Sequence, residues 1–320
     1  MKIGVFTVLF GKLSLEEMLD KVAALGLGAV ELGTGNYPGS PHLNVKKLLS
    51  NLQTRTNLLA AIKSRGLAIS ALSCHGNPLH PQKKIAKAHH DVWRETVKLA
   101  KMLNVDVVIN FSGNPGASAK SQSPNWVTCP WPDDYLNAVQ WQWDKQLIPY
   151  WKDEAKMARD YGVKIAFEMH PGFAVYNTET MLRLREACGR NVGANLDPSH
   201  LFWQGMDPLV VAKALGEAIF HVHAKDCRID PENTALNGVL DTKHYGKELQ
   251  RSWIFRTVGY GHDEAWWRSF VSVLRTLGYD GALSIEHEDS LMSVEEGLRK
   301  AIELLDKVII KEKVGGMWWA

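Results

Sequence analysis

A closed (β/α)8 barrel is the fold this sequence predicts, and three observations predict it. Short β-rich runs alternate with longer helical patterns eight times along the 320 residues. Helical stretches repeatedly end in a glycine followed by an apolar residue, as in Gly26-Leu27, Gly66-Leu67, Gly162-Val163 and Gly278-Tyr279. Glycine there permits a positive φ that stops the helix, and the apolar residue re-enters the core. Acidic and imidazole side chains gather at the ends of the β-rich runs, the place where such barrels build their sites. An open doubly wound sheet would also alternate, but no GxGxxG follows the first strand.

Strands are expected at 2–7, 29–34, 68–75, 105–112, 164–170, 192–197, 219–226 and 281–288. Amphipathic helices are expected near 14–25, 53–65, 84–103, 135–161, 178–188, 207–217, 263–277 and 293–311. The first shows the logic. Ser14 is an N-cap, Glu17 sits at the capping-box position, and Leu15, Met18, Leu19, Val22 and Ala23 form the apolar stripe. The stretches 113–134 and 227–262 are too long to be mere connections and are expected to wall the site or contact another subunit. One domain over 1–320 is expected.

Composition excludes several classes. Hydrophobic residues make up 45% and charged residues 22%, the balance of a globular protein rather than a disordered one. A net charge of +2 with no basic cluster argues against nucleic acid as a partner. Cys74, Cys129, Cys188 and Cys227 lie far apart, so neither a disulfide framework nor a zinc ribbon is indicated. The start, Met1 to Thr7, reads as a strand rather than a leader, and no apolar run approaches the roughly 18 residues that span a bilayer. No membrane association is expected, and the cytoplasm is the expected compartment. Twelve tryptophans stand out; most are expected in the core or at subunit contacts, with some free to stack on a sugar ring. The apolar Met317-Trp318-Trp319-Ala320 is expected to dock on the barrel or on a neighbouring subunit, and a homo-oligomer is expected.

At the strand ends stand Glu31, His75, Asn110, Glu168, His170, Asp197, His200, His221, His223, Asp226, Glu286 and His287. Carboxylates and imidazoles converging on one mouth need a cation or a polar ligand to join them. Glu168, Asp197, His223 and Glu286, on the fifth to eighth strands in order, have the composition for one divalent ion. Three carboxylates and one imidazole favour Mn²⁺, with Mg²⁺ or Co²⁺ possible, over a thiolate-preferring structural zinc. Period two puts Glu168 with His170, and His221 with His223, on shared faces.

The phrases Phe167-Glu168-Met169-His170-Pro171-Gly172, Asn195-Leu196-Asp197-Pro198-Ser199-His200, His221-Val222-His223-Ala224-Lys225-Asp226 and Ser284-Ile285-Glu286-His287 resemble the xylose isomerase-like TIM-barrel superfamily. That group holds sugar isomerases and epimerases, ketose 3-epimerases, inosose dehydratase-type lyases and, more remotely, endonuclease IV. The resemblance implies one Mn²⁺-like ion on Glu168, Asp197, His223 and Glu286, with His200 helping to bind the substrate. It implies a sugar or polyol isomerase or epimerase working through a metal-stabilised enediolate, with Glu168 and Glu286 as the proton-moving pair. His170 is a third acid/base candidate, since an unperturbed imidazole titrates near neutrality. His75, Asn110, Asp226, Arg228 and Trp126 are the further substrate-binding candidates.

Two departures set the chain apart from ketose 3-epimerases: Ala174 where those carry a glutamate, and Arg228 five rather than six residues after the metal histidine. The Glu168-x-His170 pairing is similar instead to lyase-type relatives. These include the metal-bearing subunit of C-glycoside deglycosidases, which implies a dehydratase or deglycosidase on a keto-polyol or 3-keto-glycoside, with a possible small companion subunit. Endonuclease IV-like cleavage needs a trinuclear cluster that Asn110 and Gly261-His262-Asp263 do not supply. A sugar-binding barrel without catalysis is the remaining class. The acidic Glu286-His287-Glu288-Asp289 would repel a phosphate, so a non-phosphorylated sugar, polyol or glycoside is the expected partner.

Overall fold

The structure is a computed structural model that describes residues 1–317 and residue 319. The described residues form ten strands: β1 (Lys2–Phe6), β2 (Ala29–Gly33), β3 (Ala68–Ser73), β4 (Val107–Asn110), β5 (Lys164–Glu168), β6 (Val192–Leu196), β7 (Ile219–Ala224), β8 (Asp226–Ile229), β9 (Trp253–Arg256) and β10 (Ala282–Ile285). Eight of them close a parallel barrel in the order β1-β10-β7-β6-β5-β4-β3-β2. Closure is made by β1 on β10, with Lys2 opposite Ala282 and Val5 opposite Ile285. The remaining two, β8 and β9, form an antiparallel ribbon outside the barrel, pairing Asp226 with Arg256 and Ile229 with Trp253.

The helical shell follows from the capping and patterning of the chain. Helix 15–24 begins on a complete capping box between Ser14 and Glu17 and buries Met18, Leu19 and Val22. Helix 83–103 buries Trp93, Val97, Ala100 and Leu103, one stripe at helical spacing, and ends on Asn104 in the left-handed conformation. The stretch expected as one helix over 135–161 is helical from 133 to 160 but carries a π-helical segment at Gln142–Leu147. That widening brings the Gln142 amide inward, where it donates to the carbonyls of Pro115, Gly116 and Asn125 and ties down the preceding wall segment.

Most of the apolar core lies between barrel and helices. Inside the barrel, Ala71, Val107, Ile109 and Ala166 form a small apolar cluster against Phe220. Two residues beyond Ala166 on the same face of β5 stands Glu168, so this face passes from the apolar cluster to the polar mouth within one step of the pleat. Several barrel strands end earlier than the sequence suggests. Asp197 has left the β6 ladder to cap helix 198–202, and Glu286 follows β10 in a loop. Chemistry-bearing residues trade ladder pairing for reach into the mouth. Among the described residues, no helix is long and apolar enough to cross a membrane. Of the C-terminal segment expected to dock, Met317 is exposed, and Trp318 and Ala320 lie outside the described residues.

Candidate metal centre

Glu168, Asp197, His223 and Glu286 each bring one ligand atom into a group whose members all lie within 4.8 Å of one another. His223 is its centre. Its Nδ1 lies 3.3 Å from Glu168 Oε2, 3.2 Å from Glu286 Oε2 and 4.0 Å from Asp197 Oδ2. The other nitrogen, Nε2, donates to Glu31, 3.0 Å from Oε2 and 3.2 Å from Oε1. Glu31 also accepts from Ser73 Oγ on β3 at 2.5 Å and from Ser284 Oγ on β10 at 2.7 Å, so its orientation is fixed from two sides. A carboxylate behind a histidine settles which nitrogen carries the proton and leaves the other free to ligate.

The three carboxylates are each held, but differently. Asp197 Oδ1 accepts from Ser199 N–H as a helix cap, which turns Oδ2 toward the centre. Glu168 accepts from His75 Nε2 and Asn195 Nδ2 on Oε2 and from His200 Nε2 on Oε1, all at 3.0–3.1 Å. Burial opposes its ionisation, but His200, His223 and His75 together hold its carboxyl well below the usual range. Glu286 is opposed by burial in the same way and held down by the Lys225 ammonium, 2.9 Å away, and by His223. Burial also works against a charged His223, yet Glu31 and the facing carboxylates raise it well above an ordinary imidazole.

Within this group of four, two buried atoms make no hydrogen bond, His223 Nδ1 and Asp197 Oδ2, and both face the same point. Leaving such atoms unmatched is costly, and a hard cation satisfies a lone pair and carboxylate oxygens together. Glu168, Asp197, His223 and Glu286 therefore fit a divalent ion. No cysteine joins them: Cys74, Cys188 and Cys227 are buried elsewhere with all three thiols pushed up by burial, Cys74 to about 12 and Cys188 to about 11.

The remaining sequence-derived candidates separate into two groups. His75 and His200 reach Glu168 directly, and His200 Nε2 also lies 3.4 Å from Asp197 Oδ2. His170 packs against His200, ring centroids 4.2 Å apart, and its Nδ1 bonds Pro171 O at 2.6 Å. Burial and the adjacent His200 push its pKa down to about 3, so the expected near-neutral titration gives way to a permanently neutral ring. Asn110 turns its side-chain oxygen to the backbone N–H groups of Gly76 and Phe111, shaping the loop after β3.

Asp226, Arg228 and Trp126 stand apart from the centre. The Asp226 carboxylate is consumed by Cys227, Gly259, Gly261 and His262 N–H groups, the His262 ring and the Trp267 indole. Arg228 is exposed on the ribbon, because β8 leaves the barrel immediately after β7. Trp126 packs edge-on to Tyr176 and lines a separate hollow of 150 Å³ with Trp143 and Arg183. Other tryptophans follow the core expectation, Trp93, Trp151 and Trp267 being fully buried.

Sequence reasoning gave no role to Asn195, His221 or Lys225. Asn195 bridges His221 to Glu168, receiving His221 Nδ1–H on Oδ1 at 3.0 Å while its amide reaches the carboxylate. Lys225 Nζ stands among Asp197, Glu286 and Glu288, at 3.3, 2.9 and 3.0 Å. Period two marks them both: Asn195 shares a face with Asp197, and Lys225 with His221 and His223.

The polar set opens into a chamber of 230 Å³ bounded also by Phe6, Tyr37 and Phe111. A second hollow, 560 Å³, lies at the opposite end of the barrel, where Lys2, Asp106 and Lys164 mark the strand starts. The carboxylate cluster is at the C-terminal end, so this is a (β/α)8 barrel that assembles its chemistry at the usual mouth. The family described as xylose isomerase-like TIM barrel matches residues 19–308, and the chain belongs to that family.

Among curated relatives, the Bacillus subtilis (strain 168) protein YfiH is 42% identical over 97% of this chain and 99% of its own length. Inosose dehydratase of Geobacillus thermodenitrificans (strain NG80-2) is 26% identical over 87% of this chain and 83% of its own. Solved structures of similar fold include a D-tagatose 3-epimerase-like protein, 20% identical, with a TM-score of 0.63 over 96% of this chain and 98% of that one. The IOLI protein with a bound zinc atom is 18% identical, with a TM-score of 0.64 over 97% and 98%. At these identities the structural likeness is one of fold.

Proposed function

We propose that this protein is a divalent-metal-dependent isomerase or epimerase of a non-phosphorylated sugar or polyol, with Mn²⁺ as its ion. The observation that carries the reading is the convergence of Glu168, Asp197, Glu286 and His223 Nδ1 on one point, with two of their atoms otherwise unmatched. A divalent ion held there would supply Lewis-acid polarisation of a carbonyl and its neighbouring hydroxyl, acidifying the C–H beside them.

The protein's own groups then move the proton. In the barrel, β5 and β10 are separated by β7 and β6, so Glu168 and Glu286 approach a bound ring from different sides. Glu168 is saturated by three donors, whereas Glu286 follows its strand and has the Lys225 ammonium as its partner. Glu286 is the freer base, and Glu168 returns the proton on the other face. His75 and His200 orient Glu168, and neutral His170 offers a hydrogen-bond acceptor at the chamber wall. Glu286 and Glu288 line the same chamber, which favours hydroxyls over phosphate.

A dehydratase is the second reading, favoured by Lys225. Its ammonium lies beside the freer base and can protonate a departing hydroxide after α-proton removal, so that water leaves. The inosose dehydratase relatives support it as well. The test is proton NMR in D₂O of the Mn²⁺-loaded protein with free ketoses, cyclitol ketones and 3-keto-glucosides. Deuterium at the carbon beside the carbonyl together with an epimer or aldose supports the first reading. Loss of water or of the aglycone selects the lyase, and a lack of exchange in every case defeats both. A cytoplasmic homo-oligomer is proposed alongside, its contact on the exposed Leu236, Leu240 and Leu249, and sedimentation velocity checks it.

A further inference from the structure

The mouth of the barrel has two adjoining chambers. The inner one, 230 Å³, holds Glu168, Glu286, Lys225 and His170. The outer one, 540 Å³, is lined by His170, Tyr245, Glu248, Ile254, Phe255 and Glu288. His170 and Glu288 line both, so a molecule lying in one can continue into the other. The proposed function places a single sugar or cyclitol ring in the inner chamber. The outer chamber alone falls in the range of about 300–1,000 Å³ typical of a whole small-molecule site.

The outer walls are built on purpose-shaped backbone. Phe255 on β9 lies between the chambers: Lys225 Nζ is 4.6 Å from its ring, His200 meets it edge-on at 5.3 Å, and Tyr245 stacks on it at 5.9 Å. Tyr245 belongs to the long connection between β8 and β9, and buried Arg251 pins that connection. Its guanidinium lies 4.5 Å from the rings of both Tyr245 and Trp253, and it donates to the carbonyls of Lys243 and Trp253. Trp203 stacks on the far face of the same series at 4.5 Å from Trp253. Tyr245, 55% exposed, is thus a rigid aromatic face held at the chamber rim.

We propose that the substrate is a two-ring molecule. One ring reacts in the inner chamber, and a second ring, neutral and hydroxyl-bearing, stacks on Tyr245 and Phe255 in the outer chamber. The substrate class is therefore a reacting carbonyl sugar or cyclitol ring that carries a second ring, rather than a free single ring. Flat aromatic walls favour a ring face, and the Glu248 and Glu288 carboxylates accept hydroxyl hydrogens while repelling anions. The inference takes the inner ring from the proposed function but rests its second ring on the outer chamber alone.

Calorimetric titration of the full-length, Mn²⁺-loaded protein tests it with methyl β-D-glucoside, 4-hydroxyphenyl β-D-glucoside and cellobiose. At least one two-ring probe is expected to bind about 10-fold more tightly than the methyl glucoside, the yield of one good stacking contact. The tighter of the two identifies the second ring as aryl or glycosyl. Tyr245→Ala, at a half-exposed position, is expected to remove that gain and leave the methyl glucoside unchanged; Arg251→Met should do the same by releasing the tyrosine. Equal binding of all three probes, no binding of any, or an equal loss for all three in Tyr245→Ala overturns the proposal. Binding is read without turnover, so failure of the D₂O exchange with a retained two-ring gain would defeat the reaction and not this substrate class.

Discussion

Glu31 and His223 form an ion pair at the centre, 3.0 Å between Oε2 and Nε2, with both side chains fully buried. They come from β2 and β7, and two serine hydroxyls complete the carboxylate's shell. Burial opposes the Glu31 charge, but His223, then His221 and Ser73, hold its pKa down to about 2. The pair fixes His223 with Nδ1 toward the three facing carboxylates. Glu31→Gln keeps the volume but can present an amide N–H to Nε2, losing the tautomer control. Mn²⁺ affinity is expected to fall about 10- to 100-fold with the fold intact. Titration with paramagnetic resonance detection of free ion measures it, and an unchanged affinity would detach Glu31 from the centre.

Asp197 offers a separation of structure from ligation within one side chain. Its Oδ1 caps the helix at Ser199, while Oδ2 has no hydrogen bond. Asp197→Asn retains the cap oxygen and removes the charge aimed at the ion. Wild-type protein at 100 times its dissociation constant in Mn²⁺ gains about 2.7 kcal/mol of stability. The variant is expected to lose most of that ion-dependent rise in melting temperature and to melt near the wild type without added ion. Differential scanning calorimetry with and without Mn²⁺ decides it; an equal rise in both proteins removes Asp197 from the ligand set.

Asp226 was a reasonable substrate-binding candidate because it ends a strand-like run, and the structure gives its carboxylate to a loop. Oδ2 alone faces the N–H groups of Gly259, Gly261 and His262 and the Trp267 indole. Gly261 is required there, since a Cβ would collide with the Cys227 carbonyl and with Asp226 itself. In Asp226→Asn an amide meets those donors with no lone pair. A loss of roughly 2–3 kcal/mol in urea unfolding is expected. A variant as stable as the wild type but with raised KM would restore the substrate-binding role.

The barrel was legible because its signals are local: glycine-terminated helices, capped starts and eight β-rich runs. The cluster Glu168, Asp197, His223, Glu286 was legible because strand order and period two carry inward-facing residues to one mouth. The ribbon of β8 and β9 was hidden, since its strands pair across 23 intervening residues, Asp230 to Ser252, whose polar, glycine-containing sequence reads as loop. Arg228 was misplaced for the same reason: nothing local says that the chain leaves the barrel after Ala224. His170 was found by position, but its depressed pKa comes from burial and from His200, a contact made between the loop after β5 and the short helix after β6.

Glu286 and Lys225 finally separate the two reactions proposed for the site. Both contribute to one ion pair of 2.9 Å, yet the chemistry asks different things of them. Glu286→Gln removes the freer base and is expected to cost about 10²- to 10⁴-fold in turnover by either route. Lys225→Met leaves Glu286 in place and deletes the ammonium that lines the chamber beside it. If the protein is an isomerase or epimerase, deuterium exchange beside the carbonyl and product formation should fall together in this variant. If it is a dehydratase, exchange should persist while water loss drops, because the α-proton still leaves and the hydroxide no longer finds its acid. Following both signals in one D₂O experiment, with circular dichroism to confirm the fold, measures the split. An undiminished rate in Glu286→Gln would remove that carboxylate from proton transfer altogether.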